Sequence, residues 1–280
     1  MTDDPARRRT RRAPLLLAAI ALLPAQGSAE RIDDALELSA RAAGSDVVVL
    51  GEIHDSPAHH AFQAEAMAAL GPTAIVFEML TDEEAARVTP ELAADAGALE
   101  AALAWGESGW PDFSMYYPLL AYGTTLPILG AEVPRARARQ AFADGAATVF
   151  GGDAARFGLT RSLDPGEQAL REAEQLEAHC NALPEDILPG FVEAQRLRDA
   201  MLADAALKAL AAHGAPVVVV TGNGHARRDW GVPALLAEAE PGLSVLSLGQ
   251  FEAEPEGEVP FDFWTVADPV EREDPCAAFR

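Results

Sequence analysis

Short, unbroken runs of β-branched and aliphatic residues recur along this chain, each closing on glycine or a polar residue. Val47–Leu50 runs into Gly51, Ala74–Phe77 into Glu78, and residues 126–129 into Gly130. Val217–Val220 runs into Thr221-Gly222, and residues 244–248 into Gly249. A strand with one wet face alternates apolar and polar side chains. Runs without alternation are apolar on both faces and belong to strands covered on both sides.

Helical patterns fill the gaps. Residues 58–70 put Phe62, Ala66, Ala69 and Leu70 on one face and stop at Gly71-Pro72. Thr81-Asp82-Glu83-Glu84 has the form of a capping box. Further helices are expected at 99–105, 114–122, 134–142, 165–177 and 186–212, the last with a break at Pro189-Gly190. Strand–helix alternation predicts an α/β fold: a mostly parallel central sheet flanked by helices. Residues 80–125 and 150–212 are helix-rich and are expected to form a helical cap or insert over it. After Phe251 the tail is acidic and proline-rich, with one late strand expected in 261–266.

Residues 1–29 read as a signal peptide. Arg7, Arg8, Arg9, Arg11 and Arg12 precede an apolar stretch at 15–23, and Gly27-Ser28-Ala29 offers small residues for cleavage. Residues 30–280 would then be a single domain in the periplasm or otherwise exported, by a Sec or a Tat route. No cysteine near the cleavage point offers a lipid anchor, and no run reaches the ~18–20 apolar residues of a membrane span. Losing five basic and two acidic residues takes the balance from 21 and 44 to 16 and 42, a net charge of −26. So acidic a surface repels phosphate backbones and anionic lipid, which argues against nucleic acid and membrane surfaces as partners. In an oxidising compartment Cys180 and Cys276 are expected to pair and clip the tail to the body. Two free buried thiols are the other reading.

Open α/β sheets bind ligands at the carboxyl ends of their strands. Three polar sets fall there: Gly51-Glu52-Ile53-His54-Asp55, Glu78, and Gly222-Asn223-Gly224-His225. Each glycine permits a sharp turn, and a histidine three residues later is carried over the sheet edge. Glu52, His54, Glu78 and His225 form a mixed nitrogen and oxygen set suited to a divalent metal or to acid–base work. Mutual hydrogen bonding beneath a loop is the plainer account of the same residues. His59 and His60 open the next helix, where a histidine is more often solvated than ligating. Residues 105–118 hold Trp105, Trp110, Tyr116 and Tyr117, two of four tryptophans and two of three tyrosines. Such a cluster suits either a satellite core or one wall of a pocket for a flat aromatic ligand.

At these residues the chain resembles the ChaN-like haem-binding uptake family, in the superfamily with Tiki, TraB and erythromycin-esterase-like proteins. The resemblance takes in Gly51 to Asp55 with His59-His60 and Gln63, Phe77-Glu78, and Gly109-Trp110-Pro111 leading to Tyr116 and Pro118. It continues through His179-Cys180, the run from Gln195 to Met201, Gly222 to Arg227, Gly231-Val232-Pro233 and Asp274-Pro275-Cys276. What it implies is an exported protein of haem or iron uptake that binds ferric haem, sometimes as a cofacial pair across a homodimer. Uptake-transporter components would be further partners. Tyrosine would ligate the iron, a hard phenolate favouring the ferric state. Tyr116 matches that tyrosine best, and Tyr117 beside it is the second candidate. His54, His59, His60, Trp110 and His225 would surround the haem, with Arg227 or Arg228 on its propionates. The rival reading within the superfamily is a hydrolase in which Glu52, His54, Glu78 and His225 bind a divalent metal or activate water. No Gly-x-Ser-x-Gly elbow is present, so a serine nucleophile is not supported. A third reading is a binding protein for another flat ligand.

Overall fold

The structure, a computed structural model, describes residues 28–274 together with 276 and 277, so the expected signal peptide lies almost wholly outside them. Seven strands form one sheet: β1 (Glu30–Arg31), β2 (Val47–Leu50), β3 (Ala74–Phe77), β4 (Ile128–Gly130), β5 (Val217–Val220), β6 (Val245–Phe251) and β7 (Phe263–Val266). Their order is β1-β7-β6-β2-β5-β3-β4, and every neighbouring pair is parallel.

The unbroken runs now have a structural cause. Val48, Leu50, Ile75, Phe77, Val218 and Val220 face one core, and Val47, Val49, Ala74, Val76, Val217 and Val219 face a second. All twelve are 0–1% exposed, so alternation has nothing polar to show. Full burial of one such large side chain contributes roughly 1.5–3 kcal/mol. The first core is covered by α1 (Ala35–Arg41), α2 (Pro57–Leu70), α3 (Asp82–Ala85), α4 (Pro90–Ala93), α5 (Ala96–Ala102), α6 (Trp105–Ser108) and α7 (Phe113–Gly123). The second is covered by α8 (Arg135–Asp144), α9 (Ala146–Phe150), α11 (Leu188–His213) and α13 (Val232–Ala239). Between α9 and α11, α10 (Pro165–Ala178) packs on α11, and α12 (Asn223–Ala226) is the short turn off β5. The helix-rich stretches are thus mainly the two flanking layers of the sheet.

Neighbouring β2 and β5 send their connections to opposite faces, through α2 to β3 and through α13 to β6. That divergence opens a crevice at their carboxyl ends.

Local chemistry sets several boundaries. Thr81 and Glu84 form the expected capping box, each side chain meeting the other's backbone N–H. Two helical expectations are corrected. Ala104, at φ 50°, parts α5 from α6 where one helix over 99–105 was expected. Pro189-Gly190 does not break α11: it lies in the first turn, where proline's missing N–H costs nothing. Gly190 is needed there, because a Cβ would lie 2.6 Å from the ring of Phe142 on α8.

Cys180, just past α10, is joined to Cys276 by a disulfide with a Cα separation of 5.4 Å, across 96 residues of sequence. Upstream in the same tail, Arg272 is ion-paired with Asp55 and Glu252. The tail is therefore tied to the carboxyl side of β2 and to the end of α10. Removing such a long-loop crosslink costs about 2–5 kcal/mol. Cys276→Ser is expected to lower the urea midpoint accordingly, with the denaturant slope read alongside; an unchanged midpoint would show that the tail constrains nothing.

Candidate functional site

Parallel pairing in register sets Leu50 beside Val220 and Val220 beside Phe77, so Glu52, Gly222 and Glu78 leave the sheet side by side. The glycines are required by contact. A Cβ on Gly51 would lie 2.4 Å from Asn223 Oδ1, and one on Gly222 would lie 2.8 Å from His54 Nε2.

Each histidine of the two turns is backed by a carboxylate. His54 Nδ1 lies 2.8 Å from Glu52 Oε1. Its ring is 36% exposed, meets Trp110 edge-on at 5.0 Å, and turns Nε2 away from Glu52. Burial opposes the charged ring, but the hydrogen bond to Glu52 and the charges of Glu78, Glu52 and Asp55 prevail, raising its pKa to about 9. His225 Nδ1 lies 2.6 Å from Asp199 Oδ1, and its Nε2 is 3.5 Å from Glu78 Oε1. Burial opposes charge here too, yet Glu78 and Asp199 raise this pKa above the usual histidine value. Glu78 Oε2 accepts from the Thr221 hydroxyl at 2.6 Å and the Gly222 N–H at 2.8 Å. Against the cost of its burial, His225 and His54 hold the Glu78 carboxyl below the usual range. Arg171 extends the chain, 3.3 Å from Asp199 Oδ2, with its guanidinium over Trp230.

Other expected site residues serve the scaffold. Buried His59 accepts from the Ile53 N–H at 3.0 Å, which leaves Nε2 to face the Phe251 carbonyl at 3.3 Å. Burial lowers its pKa, so the ring is neutral. His60 Nε2 donates to the His54 carbonyl at 2.8 Å. Its Nδ1 faces Glu52 Oε2 at 3.3 Å, and neither atom makes an aligned hydrogen bond.

Tyr116 is 1% exposed, its hydroxyl 3.2 Å from Glu52 Oε1 and 3.1 Å from the His54 carbonyl oxygen. Burial, then the charge and hydrogen bond of Glu52, hold its proton far more tightly than in a free phenol. The Tyr117 hydroxyl donates to the Ala93 carbonyl at 2.8 Å. Trp105, Phe113 and Tyr116 pack in the first core, so this segment is mostly core, and only its Trp110 reaches the cleft described next. Arg227, expected on propionates, is taken by Glu174, Asp229 and the face of Trp230; Arg228 pairs with Asp262.

Above His54, Glu78 and His225 lies a cleft of about 820 Å³. Its walls are helix faces read at three- and four-residue spacing. They are Arg135, Ala138, Arg139 and Phe142 on α8; Phe191, Ala194, Gln195 and Arg198 on α11; and Gln175 on α10 with His179 just past its end. His179, Gln195, Arg198 and Asp199 lie in stretches that carry the family resemblance, but sequence assigned no site role to them or to the other wall residues, for which a helical stripe mixing arginine with phenylalanine was the available signal. Chemically, the site offers two carboxylate-backed imidazoles beneath a roomy, partly apolar chamber, suited to holding a ligand or to moving a proton. Among the described residues, no group of three or more His, Cys, Asp or Glu side chains is placed to hold a metal ion.

A family profile described as haem-binding uptake, Tiki superfamily, ChaN, matches residues 38–236. No curated protein matches the chain. Among solved structures the chain is similar to ChaN of Campylobacter jejuni, described with cofacial heme binding. Identity is 18% and the TM-score 0.59, over 80% of this chain and 89% of that one. It also matches the type III effector HopBA1 at 15% identity and a TM-score of 0.45, over 88% of this chain and 99% of that one. The first of these likenesses is one of fold.

The raised pKa of His54 fixes a sign. A group whose folded pKa exceeds its unfolded value, about 6.5, stabilises fully below that pH and loses the contribution as pH rises through the folded value, about 9. NMR titration of the ring should place His54 near 9, and Glu52→Gln should bring it down toward 6.5. A wild-type titration at or below 6.5 would contradict the Glu52 contact.

Proposed function

Because the chain belongs to the ChaN haem-binding uptake family of the Tiki superfamily, we propose that it binds ferric haem in the cleft above His54 and acts, exported, in haem or iron uptake. One observation carries the reading: a chamber of about 820 Å³, walled by Phe142, Phe191 and Trp110, stands over an imidazole backed by a buried carboxylate. Ligand chambers commonly span ~300–1,000 Å³ with apolar walls and a few directed polar groups. Haem supplies the iron, and the residues that fit it here are those of the cleft.

His54 is the protein ligand that this geometry favours. A carboxylate on Nδ1 fixes the ring's tautomer and makes Nε2 a stronger donor, the usual second partner of a metal-bound histidine. Tyr116 or Tyr117 is the ligand that the family resemblance suggests, but neither lines the cleft. For Tyr116 to reach iron, its hydroxyl would have to leave Glu52 and the His54 carbonyl, and its phenolate would form beside a carboxylate. Export draws support from the Cys180–Cys276 disulfide, since such bonds persist in oxidising compartments. Among the described residues no helix is long and apolar enough to cross a membrane.

Ferric haem titrated into purified protein should give a saturable Soret shift. His54→Ala should weaken binding about tenfold or more and change the ligand-field bands, whereas Tyr116→Phe should keep haem bound with the same type of ligand-field bands. Nε2 must be free of its proton to bind iron, so affinity should fall by about tenfold for each pH unit below about 9. Spectral change on Tyr116→Phe with none on His54→Ala would return the iron to the tyrosine, and absence of any Soret shift would overturn the reading.

A further inference from the structure

We propose that Arg135, Arg139 and Arg198 form a carboxylate clamp at the cleft wall, which holds the anionic edge of the bound ligand. The inference rests on the haem reading and adds which atoms of the chain meet the two carboxylates of that molecule.

The observation is one of charge accounting. The chain carries 44 acidic and 21 basic residues, and its arginines are generally neutralised. Arg31 pairs with Glu254, Arg156 with Glu240, Arg161 with Glu238, Arg171 with Asp199 and Arg272 with Asp55. Arg87 and Arg137 donate to backbone carbonyls. Five arginines, Arg87, Arg135, Arg137, Arg139 and Arg198, take part in no ion pair among the described residues, and three of the five line this one cleft. Among the described residues Arg135 donates to the Ser108 carbonyl, at 3.2 Å, and Arg198 to Gln195 Oε1, at 3.4 Å. Arg139 has no such partner among the described residues.

Their placement is built by the helices. Arg135 and Arg139 are four residues apart on α8, hence on one face, and Arg198 faces the same cleft from α11. The acids nearby do not cancel them. Glu78 is engaged by Thr221, Gly222 and His225. Glu132, which feels Arg135 and Arg198, is pushed up to about 7 by its burial and by Glu84, so near neutral pH much of it is uncharged.

Guanidinium groups bind carboxylates through a planar two-pronged fork, more specifically than a point charge does. Three of them beside Phe142, Phe191 and Trp110 select a flat apolar body with carboxylates on its edge. Haem has that form: iron at the centre for His54, propionates at the rim for the arginines.

The test compares haem with haem dimethyl ester, which keeps the iron and the ring but lacks free carboxylates. Both are titrated into the wild type, Arg139→Gln/Arg198→Gln and Arg139→Lys/Arg198→Lys, with circular dichroism and thermal melts to check each fold. The wild type should bind haem at least about tenfold more tightly than the ester. The glutamine pair should lose that preference, and the lysine pair should keep part of it by charge alone. Wild-type haem preference should also shrink as sodium chloride is raised. Equal affinity of the wild type for haem and ester, or undiminished preference in the glutamine pair, would overturn the clamp and leave haem binding standing. A wild type that binds neither compound would overturn the haem reading and the clamp with it.

Discussion

Parallel pairing of Val47–Leu50 with Val217–Val220 places two glycine turns against each other at the crevice edge. Gly51 touches Asn223 and Gly222 touches His54, so each turn leaves space that the other fills. Both strands are sealed on both faces by helices, and the register cannot slip without moving the four buried aliphatic side chains of one strand to the wrong face. His54 and His225 therefore meet over a rigid floor, and the chemistry of the site inherits its precision from the packing of the sheet.

Charge is arranged on the same principle of local satisfaction. Glu52, Glu78 and Asp199 are buried acids, and each lies against a histidine. These pairs keep both imidazoles more basic than usual despite burial. The cost falls on Tyr116, whose phenol is locked as a donor beneath them. Above this floor α8 and α11 contribute Arg135, Arg139 and Arg198, which take part in no ion pair among the described residues. An acidic chain thus keeps three arginines along the walls of one chamber, the arrangement on which the proposed carboxylate clamp rests.

Much of this could be read from the sequence, and what escaped did so for physical reasons. Strands β2, β3 and β5 were evident because double-sided burial forces unbroken apolar runs. Two-residue β1, Glu30–Arg31, carries no such run and exists only by pairing with β7. Pro189-Gly190 looked like a helix break because proline's effect depends on position, and the first turn tolerates it. Glu52, His54, Glu78, Trp110 and His225 were identifiable since residues just after strands, or in a dense aromatic segment, have few places to go. Arg198 and Asp199 lie in the run from Gln195 to Met201 that carries the family resemblance, yet neither they nor Arg139 could be given a role, because a helical stripe acquires meaning only once the surface it faces is known. His59 and His60 were candidates by proximity to His54, yet His59 accepts from the Ile53 N–H and His60 donates to the His54 carbonyl, so one nitrogen of each braces the loop that shapes it.

If haem binds as proposed, its iron lies over the crevice where β2 and β5 end, within bonding reach of His54. Diffraction from crystals of the haem-loaded protein, collected at the iron absorption edge, tests this directly. Haem bound through His54 gives one strong anomalous peak in the cleft beside His54 Nε2. A peak bonded to the Tyr116 oxygen, or lying outside the chamber between α8 and α11, would contradict it.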